Sequence, residues 1–163
     1  DINLISVLDG GLKKWKLENR LLSKEKVNLV ETNYKAKIKS DLVINLNQVE
    51  NNIKEKKFCL VDARGEARFK GLVEEPRKNL KKGNIKGSKN LPFSTLINSE
   101  NNTFKKKAEL EKIFINHGIK PNEQLAFSCG SGITACVLGL ANTIINNKLP
   151  VIYDGSWAEY GLK

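Results

Sequence analysis

Three short apolar runs constrain this chain more than any other feature. Phe58-Cys59-Leu60-Val61 stops at Asp62, Leu125-Ala126-Phe127 stops at Ser128, and Val151-Ile152-Tyr153 stops at Asp154. Unbroken apolar runs of this length mark strands buried on both faces of a parallel sheet. The segments between them have helical period instead. Leu46, Val49 and Ile53 share one helical face. So do Leu110, Ile113 and Phe114 in the stretch from Glu109 to His117, which Gly118 then stops. Thr134 to Asn146 reads as a small-residue helix packed on the sheet. Strand alternating with helix implies an α/β fold, a doubly wound parallel sheet flanked by helices. Ligands of such sheets sit beyond the carboxyl ends of the strands. The chemistry is therefore expected just after Val61 and just after Phe127.

One segment occurs twice. Val7-Leu8-Asp9-Gly10-Gly11-Leu12-Lys13-Lys14-Trp15 is echoed by Ile152-Tyr153-Asp154-Gly155-Ser156-Trp157-Ala158-Glu159-Tyr160, about one domain length further on. Each has an apolar pair, an Asp-Gly turn and a short tail ending in an aromatic. A tandem protein explains this: residues 1–22 as the tail of a preceding domain, 23–36 as a basic, Asn-rich linker, and 37–163 as the second domain. Coincidence is the rival reading, since Asp-Gly is a common turn pair. The chain contains no methionine, so it is expected to be a cut or trimmed piece of a longer protein.

The formal net charge of +10 comes almost wholly from lysine; arginine stands only at positions 20, 64, 68 and 77. The lysines are spread along the chain, with no aromatic platform among them. They read as solvated faces rather than as a nucleic-acid surface. No apolar run is long enough to span a membrane, and no secretory signal is visible. Cys59, Cys129 and Cys136 are odd in number and lack C-x-x-C spacing. That argues against a disulfide framework and a zinc site, and for a reducing compartment, here the cytoplasm. The residue pattern calls for no metal and no cofactor.

The chemistry concentrates in Cys129-Gly130-Ser131-Gly132-Ile133-Thr134, between the second strand and the helix that follows. Glycines at 130 and 132 can take positive φ values and turn successive N–H groups inward as an anion-binding nest. The new helix adds its positive end, and Thr134 can cap it. Both features favour thiolate over thiol and would stabilise a persulfide on the same sulfur. A Cys-based phosphatase needs an arginine six residues after the cysteine, where Ala135 stands. A nucleotide-binding loop needs a Gly-Lys-Ser/Thr ending that is absent. On these residues alone, an activated nucleophile and a buried structural thiol both remain open.

The run from Cys129 to Thr134 resembles the active loop of 3-mercaptopyruvate sulfurtransferases, in the rhodanese superfamily. Asp62-Ala63-Arg64, Arg68-Phe69, Gly71, Glu75-Pro76-Arg77, Gly87-Ser88-Lys89-Asn90-Leu91-Pro92-Phe93 and Tyr153-Asp154-Gly155-Ser156-Trp157 follow in that family's order. The resemblance covers the second domain, and Val7–Trp15 resembles the end of the family's first domain. It implies a rhodanese-like fold and sulfur transfer from 3-mercaptopyruvate to cyanide or a thiol acceptor such as thioredoxin. In that reading Cys129 carries the persulfide and Ser131 polarises or protonates the donor. Backbone N–H groups of Gly130, Ser131, Gly132, Ile133 and Thr134 cradle the sulfur, and Arg68 and Arg77 hold the donor's carboxylate and carbonyl. The neutral Gly130 and Ser131 favour mercaptopyruvate over thiosulfate, whose users carry cations there. A thiosulfate sulfurtransferase and a non-catalytic rhodanese-like binding module are the alternatives. Gly83-Asn84-Ile85-Lys86-Gly87 departs from the family's usual Gly-His-Ile-Pro-Gly and is expected to be structural. The preceding domain is expected as a partner that completes the site.

Other residues read as structural. His117 is expected at a helix end, and Cys59 and Cys136 as small core hydrophobes, with Cys136 a minor candidate for a resolving thiol. Lys105-Lys106-Lys107 is expected to be a solvated helix start. Trp15 and Trp157 are expected to be packing aromatics, and Asp62 with Arg64 an ion pair at a strand end.

Overall fold

The computed structural model describes residues 5–120 and 122–162. The first four residues of the expected tail, Pro121 and Lys163 lie outside them. Five strands form one parallel sheet: β1 (Val43–Ile44), β2 (Cys59–Asp62), β3 (Lys89–Asn90), β4 (Leu125–Ser128) and β5 (Val151–Tyr153). Their spatial order is β1-β5-β4-β2-β3. The three apolar runs are the three central strands. The two edge strands have two residues each, too short to carry any periodicity, and were not anticipated.

Alternation along the central strands divides the core. Val61 and Phe127 point to one face, where they pack with Leu110 and Phe114 of α4 (Lys107–Asn116) and Leu138 and Ala141 of α5 (Ala135–Asn146). Leu60 and Ala126 point to the other, where they meet Val49 of α2 (Leu46–Glu55) and Trp157 of α6 (Ser156–Tyr160). The sheet is thus covered on both sides, as parallel sheets require. Each large side chain so buried contributes roughly 1.5–3 kcal/mol.

Local signals fix where the helices begin and end. The Asn45 side chain accepts the Gln48 N–H at 3.0 Å, and the Gln48 side chain accepts the Asn45 N–H at 2.9 Å, a reciprocal capping box. At the end of α4, Gly118 is left-handed (φ 72°) and His117 Nδ1 lies 2.9 Å from the Ile113 carbonyl. His117 is the helix-end residue expected. Residues 5–39 contain one regular element, α1 (Gly11–Leu17), which follows the first Asp-Gly turn. Ile85, in the departing Gly-x-x-x-Gly segment, is a core residue.

Candidate active site

Strand β4 delivers Cys129 to the sheet's carboxyl edge, and α5 begins six residues later. The Cys129 side chain is only 2% exposed, yet it lines a cleft of about 300 Å³. Burial alone pushes the thiol up. The Thr134 hydroxyl and the N–H groups of Ser131, Ala135 and Thr134 more than offset this, and Cys129 ionises below the ordinary cysteine range. The Ser131 N–H reaches Sγ at 3.4 Å. Such donors stabilise any anion on this sulfur, thiolate or persulfide.

Two details of the loop differ from expectation. Only Gly132 is left-handed (φ 81°). Gly130 has an ordinary φ, and a Cβ there would lie 3.0 Å from Arg68 Nη2, so a larger residue would press on that guanidinium. Thr134 does not cap α5 through its side chain. It already has helical φ and ψ (−76°, −15°), and its hydroxyl serves the Cys129 sulfur instead.

The cleft's opposite wall is Arg68, Glu75, Pro76, Arg77 and Leu80. Both predicted arginines therefore face the predicted loop. Of the named loop residues, Gly132 alone does not line the cleft; it is buried behind it. Arg68, on the short helix α3 (Glu66–Phe69), is held by Glu75, with Nη2 to Oε2 at 2.5 Å. Arg77 is exposed and forms no ion pair among the described residues.

Glu75 is a residue the sequence did not single out for a role. Its Oε1 also accepts Arg64 Nη1 at 2.9 Å. Arg64, 2% exposed, donates further to Asp62 at 2.7 to 3.1 Å and to the Gly83 carbonyl at 2.8 Å, and stacks 4.3 Å from the Trp157 ring centre. The expected Asp62–Arg64 ion pair is thus the centre of a larger buried network. Removing one carboxylate from such a network leaves a buried charge unpaired and costs about 3–5 kcal/mol. A carboxylate lying between two arginines was the available signal for Glu75.

The loop is held from behind by the second Asp-Gly turn. Ser156 Oγ accepts the N–H groups of Cys129 (3.0 Å) and Gly132 (3.1 Å), while the Trp157 and Ala158 N–H groups donate to the Cys129 and Gly130 carbonyls (2.9 and 2.8 Å). A Cβ on Gly132 would lie 3.0 Å from the Asp154 carbonyl oxygen. Ser156 was also unassigned, although its place in the repeated turn marked it.

The remaining cysteines divide. Cys59 is half-buried, and burial pushes its thiol up. Cys136 is exposed at the start of α5 rather than in the core. Partial burial, then the neighbouring charges of Cys129 and Asp154, raise its thiol. Trp157 is a packing aromatic as expected, whereas Trp15 sits at the surface, its ring N–H on the Leu21 carbonyl (2.9 Å).

A parallel sheet with a thiol cradled at the end of its central strand defines a rhodanese-like domain. The family model for the rhodanese-like domain matches residues 45–163, and the chain belongs to that family. It is 37% identical to thiosulfate/3-mercaptopyruvate sulfurtransferase 2 of Arabidopsis thaliana over 94% of this chain and 51% of that protein. It is 33% identical to 3-mercaptopyruvate sulfurtransferase of Escherichia coli (strain K12) over 99% of this chain and 57% of that one. The crystal structure of SseA from Escherichia coli superimposes with a TM-score of 0.79 at 33% identity, over 93% of this chain and 56% of SseA. The chain therefore spans about half the length of the curated relatives it matches. No helix among the described residues is long and apolar enough to cross a membrane.

Proposed function

We propose that this chain is the persulfide-forming half of a sulfurtransferase that takes sulfur from 3-mercaptopyruvate. The observation that carries the reading is an acidified thiol facing two guanidinium groups across one cleft. A guanidinium fork suits a carboxylate donor, and a thiolate suits attack on sulfur.

The Cys129 thiolate attacks the donor's sulfur. An S–S bond forms as the donor's C–S bond breaks, and the carbon leaves as the enolate of pyruvate. The Ser131 hydroxyl, at the cleft wall, polarises the donor and relays a proton to the enolate, giving pyruvate. Gly130, Ser131, Gly132, Ile133 and Thr134 supply the loop that holds the persulfide. An acceptor thiolate, such as that of thioredoxin, then takes the outer sulfur and regenerates the Cys129 thiolate; cyanide in its place gives thiocyanate.

Arg68 and Arg77 receive the donor. Because Glu75 neutralises Arg68, Arg77 is the one cleft-lining cation without an ion pair among the described residues. A single uncompensated cation favours a monoanionic carboxylate over dianionic thiosulfate. Thiosulfate is the second reading, since the Arabidopsis relative is named for both donors.

We further read residues 1–22 as the tail of a preceding rhodanese-like domain, 23–36 as the linker and 37–163 as the catalytic domain. The repeated turn and the doubled length of the relatives support this. Three free thiols favour a reducing compartment such as the cytoplasm.

The test uses the two-domain protein. Incubation with 3-mercaptopyruvate is expected to add one sulfur atom at Cys129, read by mass spectrometry, and Cys129→Ser is expected to abolish turnover. Absence of the persulfide would overturn the reading. The ratio of kcat/KM for the two donors decides between mercaptopyruvate and thiosulfate.

A further inference from the structure

We propose that Ser156 is a positioning residue for Cys129: its hydroxyl ties the first and fourth N–H groups of the cysteine loop together, so that the other N–H groups of the loop face the sulfur. The inference rests on Cys129 being the reactive thiol of the proposed function.

Ser156 is fully buried and left-handed (φ 50°). That conformation is unfavourable for any residue with a Cβ, and glycine is its usual occupant. The side chain uses its whole bonding capacity. Oγ donates to the Tyr153 carbonyl at 2.8 Å and accepts from the N–H groups of Cys129 and Gly132. A hydroxyl has one proton and two lone pairs, so no capacity remains. The two N–H groups so held belong to the first and fourth residues of the loop. The donors left to the sulfur are the N–H groups of Ser131, Thr134 and Ala135. Ser156 touches neither the sulfur nor the cleft, so it acts through the backbone.

The first Asp-Gly turn supplies the control. Gly11 occupies the position equivalent to Ser156 and has nearly the same φ (54°), although the glycine before it is left-handed (Gly10, φ 85°) where Gly155 is right-handed (φ −56°). Among the described residues nothing lies within 4 Å of where its Cβ would be, so a serine there would have the space and meet only the same backbone strain. That turn holds no cysteine loop and carries the residue its backbone favours. The turn behind Cys129 carries serine against the backbone preference. The hydroxyl, not the turn, is what the thiol requires.

Ser156→Gly removes the hydroxyl and suits the backbone; Ser156→Ala removes it and keeps the strain. Alkylation of Cys129 by iodoacetamide, followed across pH and resolved by peptide mass spectrometry, reads the thiolate directly. Both variants are expected to remain folded, with the pH of half-maximal rate raised by about one unit and the rate at pH 7 about tenfold lower. In the two-domain protein kcat is expected to fall by about the same factor, with KM changed less than about twofold. An unchanged titration overturns the proposal. So does loss of the whole fold in Ser156→Gly, because a positioning role predicts a folded protein with a mistuned thiol. A shifted titration in a protein whose Cys129 never forms a persulfide would remove the sulfurtransferase reading and leave this one standing. Persulfide formation with an unshifted titration would do the reverse.

Discussion

The same Asp-Gly pattern occurs twice here and is put to different uses. In Asp9-Gly10-Gly11 only Gly10 is buried: Asp9 is exposed and its carboxylate accepts the Phe104 N–H at 2.9 Å, Gly11 is half-buried, and Leu12 after them is 58% exposed. Asp154-Gly155-Ser156 lies against the cysteine loop, and Trp157, equivalent to Leu12, is 4% exposed. Both turns receive a neighbouring loop through hydrogen bonds. Only the second is sealed by an aromatic side chain and a buried arginine. The two turns share a left-handed third residue (φ 54° and 50°) but not the conformation of the glycine before it (φ 85° and −56°), and burial of the residue after them separates them further. Buried N–H groups must find partners, and Ser156 and its loop are each other's partners.

The contrast breaks most visibly at the aromatic. Trp157→Ala is expected to cost about 3–5 kcal/mol in chemical denaturation, since it empties a core site and uncovers Arg64. Leu12→Ala in the first turn should stay within about 0.5 kcal/mol. Equal effects would refute the division of labour between the turns. The left-handed glycines come next. Gly132→Ala carries about 1–2 kcal/mol of backbone strain and also drives a methyl group to 3.0 Å from the Asp154 carbonyl, so Cys129 alkylation should slow with it. A methyl group on Gly10 would lie 2.6 Å from the Lys14 Cβ and 3.1 Å from the Asn101 carbonyl oxygen, so Gly10→Ala should strain the first turn at least as much and leave Cys129 unaffected.

A pH series sharpens the picture at the thiols. Despite burial, hydrogen-bond donors around its sulfur lower the pKa of Cys129, so its alkylation should be faster at neutral pH than that of the other two cysteines and fall as pH drops through its own midpoint. Cys136 is shifted the other way, so its midpoint should lie above that of Cys129. Because Cys129 charge repels ionisation of Cys136, Cys129→Ser should bring the Cys136 midpoint down. The smallest effect belongs to the first turn's helix. Lys14→Ala removes the solvent-screened pair with Glu18 and should leave the thermal melt essentially unchanged.

The fold was legible wherever a segment carried its own period. The central strands, α2, α4 and α5 all follow from apolar spacing, because each buries a face large enough to need a pattern. Strands β1 and β3 were illegible, since two residues at a sheet edge have no period to show. At the site, Cys129 and its glycines stood out as a loop between strand and helix, and Arg68 and Arg77 through a family resemblance. Glu75 and Ser156 did not, because one works by joining two arginines and the other by meeting a loop 24 residues away.

Residue order by itself determined a parallel sheet with a thiol at its carboxyl edge, through local periodicity and a strand–glycine–helix junction. Only the tertiary structure decided how that thiol is tuned. It placed the Thr134 hydroxyl on sulfur instead of on the helix end, tied Arg68 to Glu75, and set Ser156 behind the loop. These outcomes depend on which buried donors find which acceptors once distant segments meet, and spacing along a chain does not encode that choice.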